Sequence, residues 1–125
     1  MSTINPTVLV IDDEEPVREY IRCILEDEGM KVVDSPNGND AVAIMNANTV
    51  DLVITDLVMP EKEGIETIRE IMSYNKKCKI IAMSGAVYRD TYLNVTKVLG
   101  VHEVISKPFQ REVFLELIYK VLNSN

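Results

Sequence analysis

Two short apolar runs that end in carboxylates constrain the fold of this chain more than any other feature. Val8-Leu9-Val10-Ile11 leads straight into Asp12-Asp13, and Leu52-Val53-Ile54-Thr55 leads straight into Asp56. A continuous apolar run of this length is the pattern of a strand buried on both faces, and strands are buried on both faces in parallel sheets. In open parallel sheets ligands bind beyond the carboxyl ends of the strands, where strand order reverses. Carboxylates at two such ends converge there and repel one another, by up to about 4 kcal/mol per close pair at an effective dielectric near 20. A hard cation relieves that repulsion.

The rest of the chain repeats the alternation. Glu14 to Glu28 carries Val17, Ile21, Ile24 and Leu25 at helical spacing, with Pro16 in the first turn and Gly29 as a stop. Lys31-Val32-Val33 reads as a second strand and Ser35-Pro36-Asn37-Gly38 as a turn. Asp40 to Asn48 reads as a second helix around Ala41, Ile44 and Met45. Gly64 to Tyr74 follows the third strand as a helix with Ile65, Ile68 and Met72 on one face. Lys79 to Met83 is the fourth strand, Asp90 to Leu99 a weak helix rich in β-branched residues, and Glu103-Val104-Ile105 the fifth strand. Gln110 to Leu122 is a helix with Val113, Phe114, Leu117, Ile118, Val121 and Leu122 in a wide apolar stripe. Five strand–helix units with right-handed crossovers make a three-layer α/β sandwich. They use up the 125 residues as one domain, 1–125, with no output domain expected on this chain.

Composition narrows the function classes. The net charge of −7 opposes direct nucleic-acid binding, which needs a basic face, and opposes attraction to anionic lipid. No apolar run approaches the ~20 residues of a membrane span, and the start lacks a secretory signal. Cys23 and Cys78 belong to no metal-spaced or redox motif and read as reduced, largely buried thiols of a cytoplasmic protein. The only histidine, His102, lies outside the acidic set and reads as structural or solvated.

Four strand ends carry polar residues suited to one pocket: Asp12 and Asp13, Asp56, Ser84, and Lys107. Oxygen-only ligation suits Mg²⁺, whereas zinc or copper would call for imidazole or thiolate. A cation, an ammonium and a hydroxyl around one carboxylate are the equipment for phosphoryl transfer. Taken singly, each residue also fits a helix cap or a turn; the set is specific because all occur at strand ends in order.

The set Asp12-Asp13, Asp56-Leu57-Val58-Met59-Pro60 with Gly64, Ser84-Gly85-Ala86 and Lys107-Pro108-Phe109 resembles the receiver domain of two-component response regulators, the family of the chemotaxis regulator. The resemblance covers essentially the full length. It implies a flavodoxin-like, doubly wound five-stranded parallel sheet of order 2-1-3-4-5. It implies that Asp56 accepts a phosphoryl group from a phosphohistidine of a sensor histidine kinase or phosphotransfer protein. Asp13, Asp56 and the carbonyl of Val58 would bind Mg²⁺ directly, and Asp12 through a water. Ser84 would bond the phosphoryl group, and Lys107 would pair with Asp56 at rest. A cis Lys107–Pro108 peptide is part of the same pattern. Such a domain modifies only itself and is not an enzyme on an outside substrate.

One position departs from the family. Where a Tyr or Phe commonly stands three residues before the lysine, this chain has Val104, stiff and without a polar tip. That departure is the feature that favours the alternative, a receiver-like interaction module acting without phosphorylation. A flavin carrier would need a phosphate-cradling loop where Asp12-Asp13-Glu14-Glu15 stands, and an aspartyl phosphatase a second Asp where Val58 stands. Val58 and Ala86, small and apolar, imply slow to moderate loss of the phosphoryl group. Val17, Tyr20, Pro108 and Phe109 read as an apolar kinase-docking patch, against the alternative of ordinary core. Phosphorylation would change the surface around the fourth helix and fifth strand for an unknown downstream protein, and the last helix completes a face there. Its charges, Arg89, Asp90, Lys97, Glu103, Arg111 and Glu116, fit either pairing across a homodimer or solvation.

Overall fold

The structure, a computed structural model, describes residues 5–57, 64–85 and 99–124. Five parallel strands, β1 (Thr7–Ile11), β2 (Lys31–Ser35), β3 (Leu52–Asp56), β4 (Lys79–Gly85) and β5 (Glu103–Lys107), form one sheet in the order β2-β1-β3-β4-β5. Helices α1 (Glu15–Asp27), α2 (Ala41–Ala47) and α3 (Gly64–Tyr74) connect them, and a C-terminal helix (Arg111–Leu122) closes the fold. The weak helix expected over Asp90 to Leu99 lies almost wholly outside the described residues, as do Val58, Met59, Pro60, Ala86, Arg89 and Lys97.

Alternation along the strands builds the two faces. Val8, Val10, Leu52, Ile54, Ile81 and Met83 point toward α1 and the C-terminal helix, where they meet Ile21, Leu25, Phe114 and Ile118. Leu9, Ile11, Val53, Ile80 and Ala82 point the other way, onto Ala41, Met45, Ile68 and Ile71. The three central strands β1, β3 and β4 thus have no polar face, which is why their sequences show no alternation of polarity. At about 25 cal/mol per Å² of apolar surface, each fully buried Leu or Ile contributes roughly 2 kcal/mol. Gly29, at φ 85°, ends α1 in the left-handed conformation that glycine adopts without strain.

Four strands run further than their apolar patterns. β3 includes Asp56, β4 continues through Ser84 to Gly85, and β5 continues to Lys107. β2 likewise extends through Asp34 to Ser35, the first residue of the expected turn. The ladder, not side-chain polarity, sets these ends: Asp56 stays opposite Met83, and Gly85 opposite Lys107. Two burial expectations need correction. Cys23 is exposed, because a helix that turns Ile21, Ile24 and Leu25 inward turns position 23 out. Val113 is 55% exposed, because Phe114, Ile118 and Val121 define the inner face of the last helix.

Candidate functional site

Register brings the site together. Ile11 lies opposite Thr55, so the residues that follow, Asp12 and Asp56, leave neighbouring strands side by side. Gly64 makes room beneath them: a Cβ there would overlap the carbonyl of Asp56, and its N–H donates to the Leu57 carbonyl at 3.0 Å. Lys107 ends β5 on the same rim, and the Lys107–Pro108 peptide is cis.

The result is an acidic basin around one ammonium. Lys107 Nζ donates to Asp56 Oδ2 at 3.1 Å, to Asp12 Oδ2 at 3.2 Å and to Glu14 Oε1 at 3.4 Å. Carboxylate oxygens of Asp12, Asp13, Glu14 and Asp56 all lie within 4.8 Å of one another. Asp12 and Asp56 are buried, whereas Asp13 and Glu14 are exposed at the mouth. Burial pushes the Asp12 carboxyl above its ordinary value, and the neighbouring Asp56 charge adds to that. The Glu14 N–H, donating to Asp12 Oδ1 at 2.8 Å, and Lys107 pull the other way without cancelling it. Burial alone would make Lys107 easier to deprotonate; Asp12 and Asp56 outweigh it, and its pKa rises. The ammonium is therefore a fixed cation at neutral pH.

Ser84 is fully buried one residue beyond the strand position opposite Asp56, and its hydroxyl has no hydrogen-bond partner among the described residues. A buried hydroxyl left so costs about 1–3 kcal/mol. The donor set also passes the test for a hard divalent ion: oxygens alone, convergent, at a mouth open to water.

The profile of the family described as Response regulator receiver domain matches residues 8–119. This chain belongs to that family. It is 34% identical over 117 residues to the chemotaxis protein CheY of Bacillus subtilis strain 168, covering 93% of this chain and 97% of that one. It is 36% identical over 118 residues to CheY of Treponema pallidum strain Nichols, covering 92% and 81%. Among solved structures, the response regulator TrrA of Thermotoga maritima, in complex with Mg²⁺ and BeF, superposes with a TM-score of 0.81 at 30% identity, covering 93% and 98%. Receiver domains are signalling switches of two-component systems and bind Mg²⁺ at an acidic pocket; the cluster of Asp12, Asp13, Glu14 and Asp56 is consistent with that.

The residues read as a docking patch line a groove beside this basin. This groove, of about 720 Å³, runs from Asp56 and Lys107 over Pro16, Val17, Tyr20, Pro108 and Phe109. Tyr20 is 44% exposed and its hydroxyl donates to the Phe109 carbonyl at 3.1 Å. The Phe109 ring lies 5.8 Å from Tyr20 and stacks on Phe114 at 4.7 Å. The four residues read as a docking patch are thus contiguous. Val104 is half-buried on β5 opposite Ala82, packed against the α2–α3 side of the core. Glu103 and Arg111, suggested for pairing across a dimer, are engaged within the chain, with Lys120 at 3.0 Å and with Asp27 and Glu28 at 3.3 Å. His102 stands at the far end of the sheet, where its Nδ1 accepts from the Ile80 N–H at 3.2 Å.

Two contributors escaped the sequence reading. Glu14, which the sequence places at the start of a helix and outside the pocket set, reaches Lys107. Arg18 lies among the polar positions of a helix whose pattern reports only its apolar face; its Nη1 donates to the Asp12 carbonyl at 2.8 Å. The signal for Glu14 was its place directly after Asp13, and for Arg18 its spacing of four from Arg22.

Proposed function

We propose that this chain, 1–125 as a single receiver domain, is a phosphoryl-accepting switch that works in the cytoplasm. In this reading an Asp56 carboxylate oxygen attacks the phosphorus of a phosphohistidine on a sensor histidine kinase or phosphotransfer protein. The new O–P bond forms as the P–N bond breaks, and the electron pair leaves with the imidazole. Lys107, held protonated by the surrounding carboxylates, moves its donors from Asp56 to a phosphoryl oxygen. The Ser84 hydroxyl, without a partner among the described residues, gains a phosphoryl oxygen as its acceptor. Asp12, Asp13 and Asp56, joined by Glu14 and, on the family pattern, by the carbonyl of Val58, would hold Mg²⁺. When bound, the ion offsets charge on the transferred group. Val17, Tyr20, Pro108 and Phe109 would receive the kinase beside the basin. The response would pass to the surface around β5, including Val104, and to the neighbouring segment outside the described residues.

The observation that carries this reading is the sharing of Lys107 among Asp56, Asp12 and Glu14 in a cluster of oxygens. The Mg²⁺ and BeF complex of TrrA supports it by likeness. The test is intact mass after incubation with Mg²⁺ and acetyl phosphate. We expect one added phosphoryl group, abolished in Asp56→Asn and in the absence of Mg²⁺. An unchanged wild-type mass would instead favour an interaction module that works without phosphorylation.

A further inference from the structure

Asp12, Asp13 and Glu14 lie on the turn between β1 and α1, which the Glu14 N–H closes locally by donating to Asp12 Oδ1 at 2.8 Å. Glu14 stands at the N-cap of α1, but its side chain makes no capping hydrogen bond. A loose turn would scatter three of the four clustered carboxylates. Two further contacts tie it to β2. The Asp12 N–H donates to the Ser35 carbonyl at 3.2 Å. Arg18, one turn into α1, folds back over the turn with a side chain only 15% exposed. Its Nη1 donates to the Asp12 carbonyl at 2.8 Å and its Nε to Asp34 Oδ2 at 3.2 Å.

Asp34 is a firm anchor. It lies within β2, in register with Val10, and its other oxygen accepts from Arg22 Nη2 at 2.9 Å. Arg22 Nη1 in turn donates to the Val32 carbonyl at 3.2 Å. A guanidinium is a rigid planar fork, so two of its nitrogens fix two acceptors at a set separation, which a lysine cannot do. The Asp12 carbonyl is therefore tied to the sheet edge, and its carboxylate keeps Oδ1 on the Glu14 N–H and Oδ2 toward Lys107.

We infer that Arg18 is a positioning residue: by bridging Asp34 to the Asp12 carbonyl it holds the acidic turn in the arrangement that binds the divalent ion. The metal-binding part of this inference rests on the function proposed above. The sign of its effect separates it from a plain charge effect. Removing a positive charge beside four carboxylates would, on Coulomb grounds, tighten cation binding. Removing a brace weakens it.

The experiment has two readouts on the full chain. In metal-free protein, NMR amide exchange of Glu14 should quicken about tenfold in Arg18→Ala, while the Ile81 amide in the central sheet stays as slow as in wild type. In a Mg²⁺ titration followed by NMR, half-saturation should move up about tenfold. Arg18→Lys, which keeps the charge and loses the fork, should behave like Arg18→Ala. Asp34→Asn, which weakens the anchor and leaves Arg18 in place, should shift both readouts the same way by a smaller factor, and it serves if Arg18→Ala does not fold. Unchanged Glu14 exchange, equal quickening at Ile81, tighter Mg²⁺ binding or a wild-type-like Arg18→Lys would each overturn the inference. If wild type ignores Mg²⁺ while Glu14 exchange responds as stated, the bracing of the turn stands and the metal-dependent function fails.

Discussion

The two ends of the same sheet treat charge in opposite ways. At the amino ends of the strands, polar groups meet partners in small closed sets. Asp51 Oδ2 accepts from the Thr7 N–H at 2.8 Å while the Asp51 N–H returns to the Thr7 carbonyl at 2.9 Å. Lys79 donates to the Leu122 and Ser124 carbonyls at 2.8 and 2.6 Å, where the last helix ends with its negative pole. His102 and Ile80 exchange hydrogen bonds in both directions. At the carboxyl ends one lysine is shared by three carboxylates, and a buried hydroxyl waits without a partner among the described residues. The amino end adds stability. The carboxyl end stores repulsion that a bound cation can relieve and a buried hydroxyl that an incoming oxygen can satisfy, and natural folds keep such conflict where function requires it.

Lys107→Met should break this contrast most strongly. The lysine side chain is 16% exposed and faces Asp12 and Asp56, which are more buried still. Removing one partner of a buried pair leaves charge uncompensated; with water at the basin mouth, the loss should be about 2–3 kcal/mol. Chemical denaturation in chelator should show a lower midpoint, and millimolar Mg²⁺ should restore more of the loss than it adds to wild type. A midpoint equal to wild type would mean that the carboxylates do not depend on the lysine.

Asp12→Asn should act in the opposite direction and by less. The Asp12 carboxyl is held above its ordinary value of 3.8 by burial and by Asp56. A carboxyl raised on folding favours the native state fully below its unfolded value, and that contribution is lost as pH rises through the folded value. At pH 7 without metal, wild type therefore carries a penalty that asparagine lacks, and the variant should be more stable by about 1 kcal/mol, some 3–6 °C in Tm. The advantage should fade as pH falls toward 3.8, where both side chains are neutral. Saturating Mg²⁺ should reverse the order, because the ion stabilises wild type by mass action and the variant has lost a ligand. Thermal melts at two pH values with and without Mg²⁺ would show all of this; a variant less stable than wild type in chelator would contradict stored repulsion.

The same contrast explains what the sequence made legible. The core was readable because burial on both faces leaves unbroken apolar runs, as in Val8–Ile11, and the helices were readable by phase, as in Ile21, Ile24 and Leu25. The anchor positions Asp12, Asp13, Asp56, Ser84 and Lys107 were readable because strand ends fall at predictable places in a parallel sheet. Strand lengths were not, since Asp56, Ser84 and Lys107 look like loop residues while their backbones remain in the ladder. Arg18 was not, because its role depends on Asp34, sixteen residues away on an edge strand. Pattern reports which way a side chain faces, and it is silent about which distant oxygen a long polar side chain will reach.

The smallest effect lies at the quiet end and has the opposite sign in pH. His102 Nδ1 accepts the Ile80 N–H, so that nitrogen must be unprotonated and the ring neutral with its proton on Nε2. Burial lowers its pKa below the ordinary 6.5, Lys79 nearby adds to that, and Glu103 opposes it. A histidine depressed on folding contributes stability that is fully present above 6.5 and lost as pH falls from there toward the folded value. The ring is largely exposed and its charge well screened, so wild type should lose only ~0.5 kcal/mol on moving from pH 7.5 to 5.5, about 2 °C in Tm. His102→Gln, whose amide oxygen can take the same N–H, should flatten that slope without altering Mg²⁺ half-saturation. In an Asp12→Asn background, where the opposing carboxyl is absent, the histidine slope should stand out more clearly. Were His102→Gln to leave the acid slope intact while Asp12→Asn removed it, both pH responses would belong to the basin, and the separation of a stabilising end from a functional end would not hold.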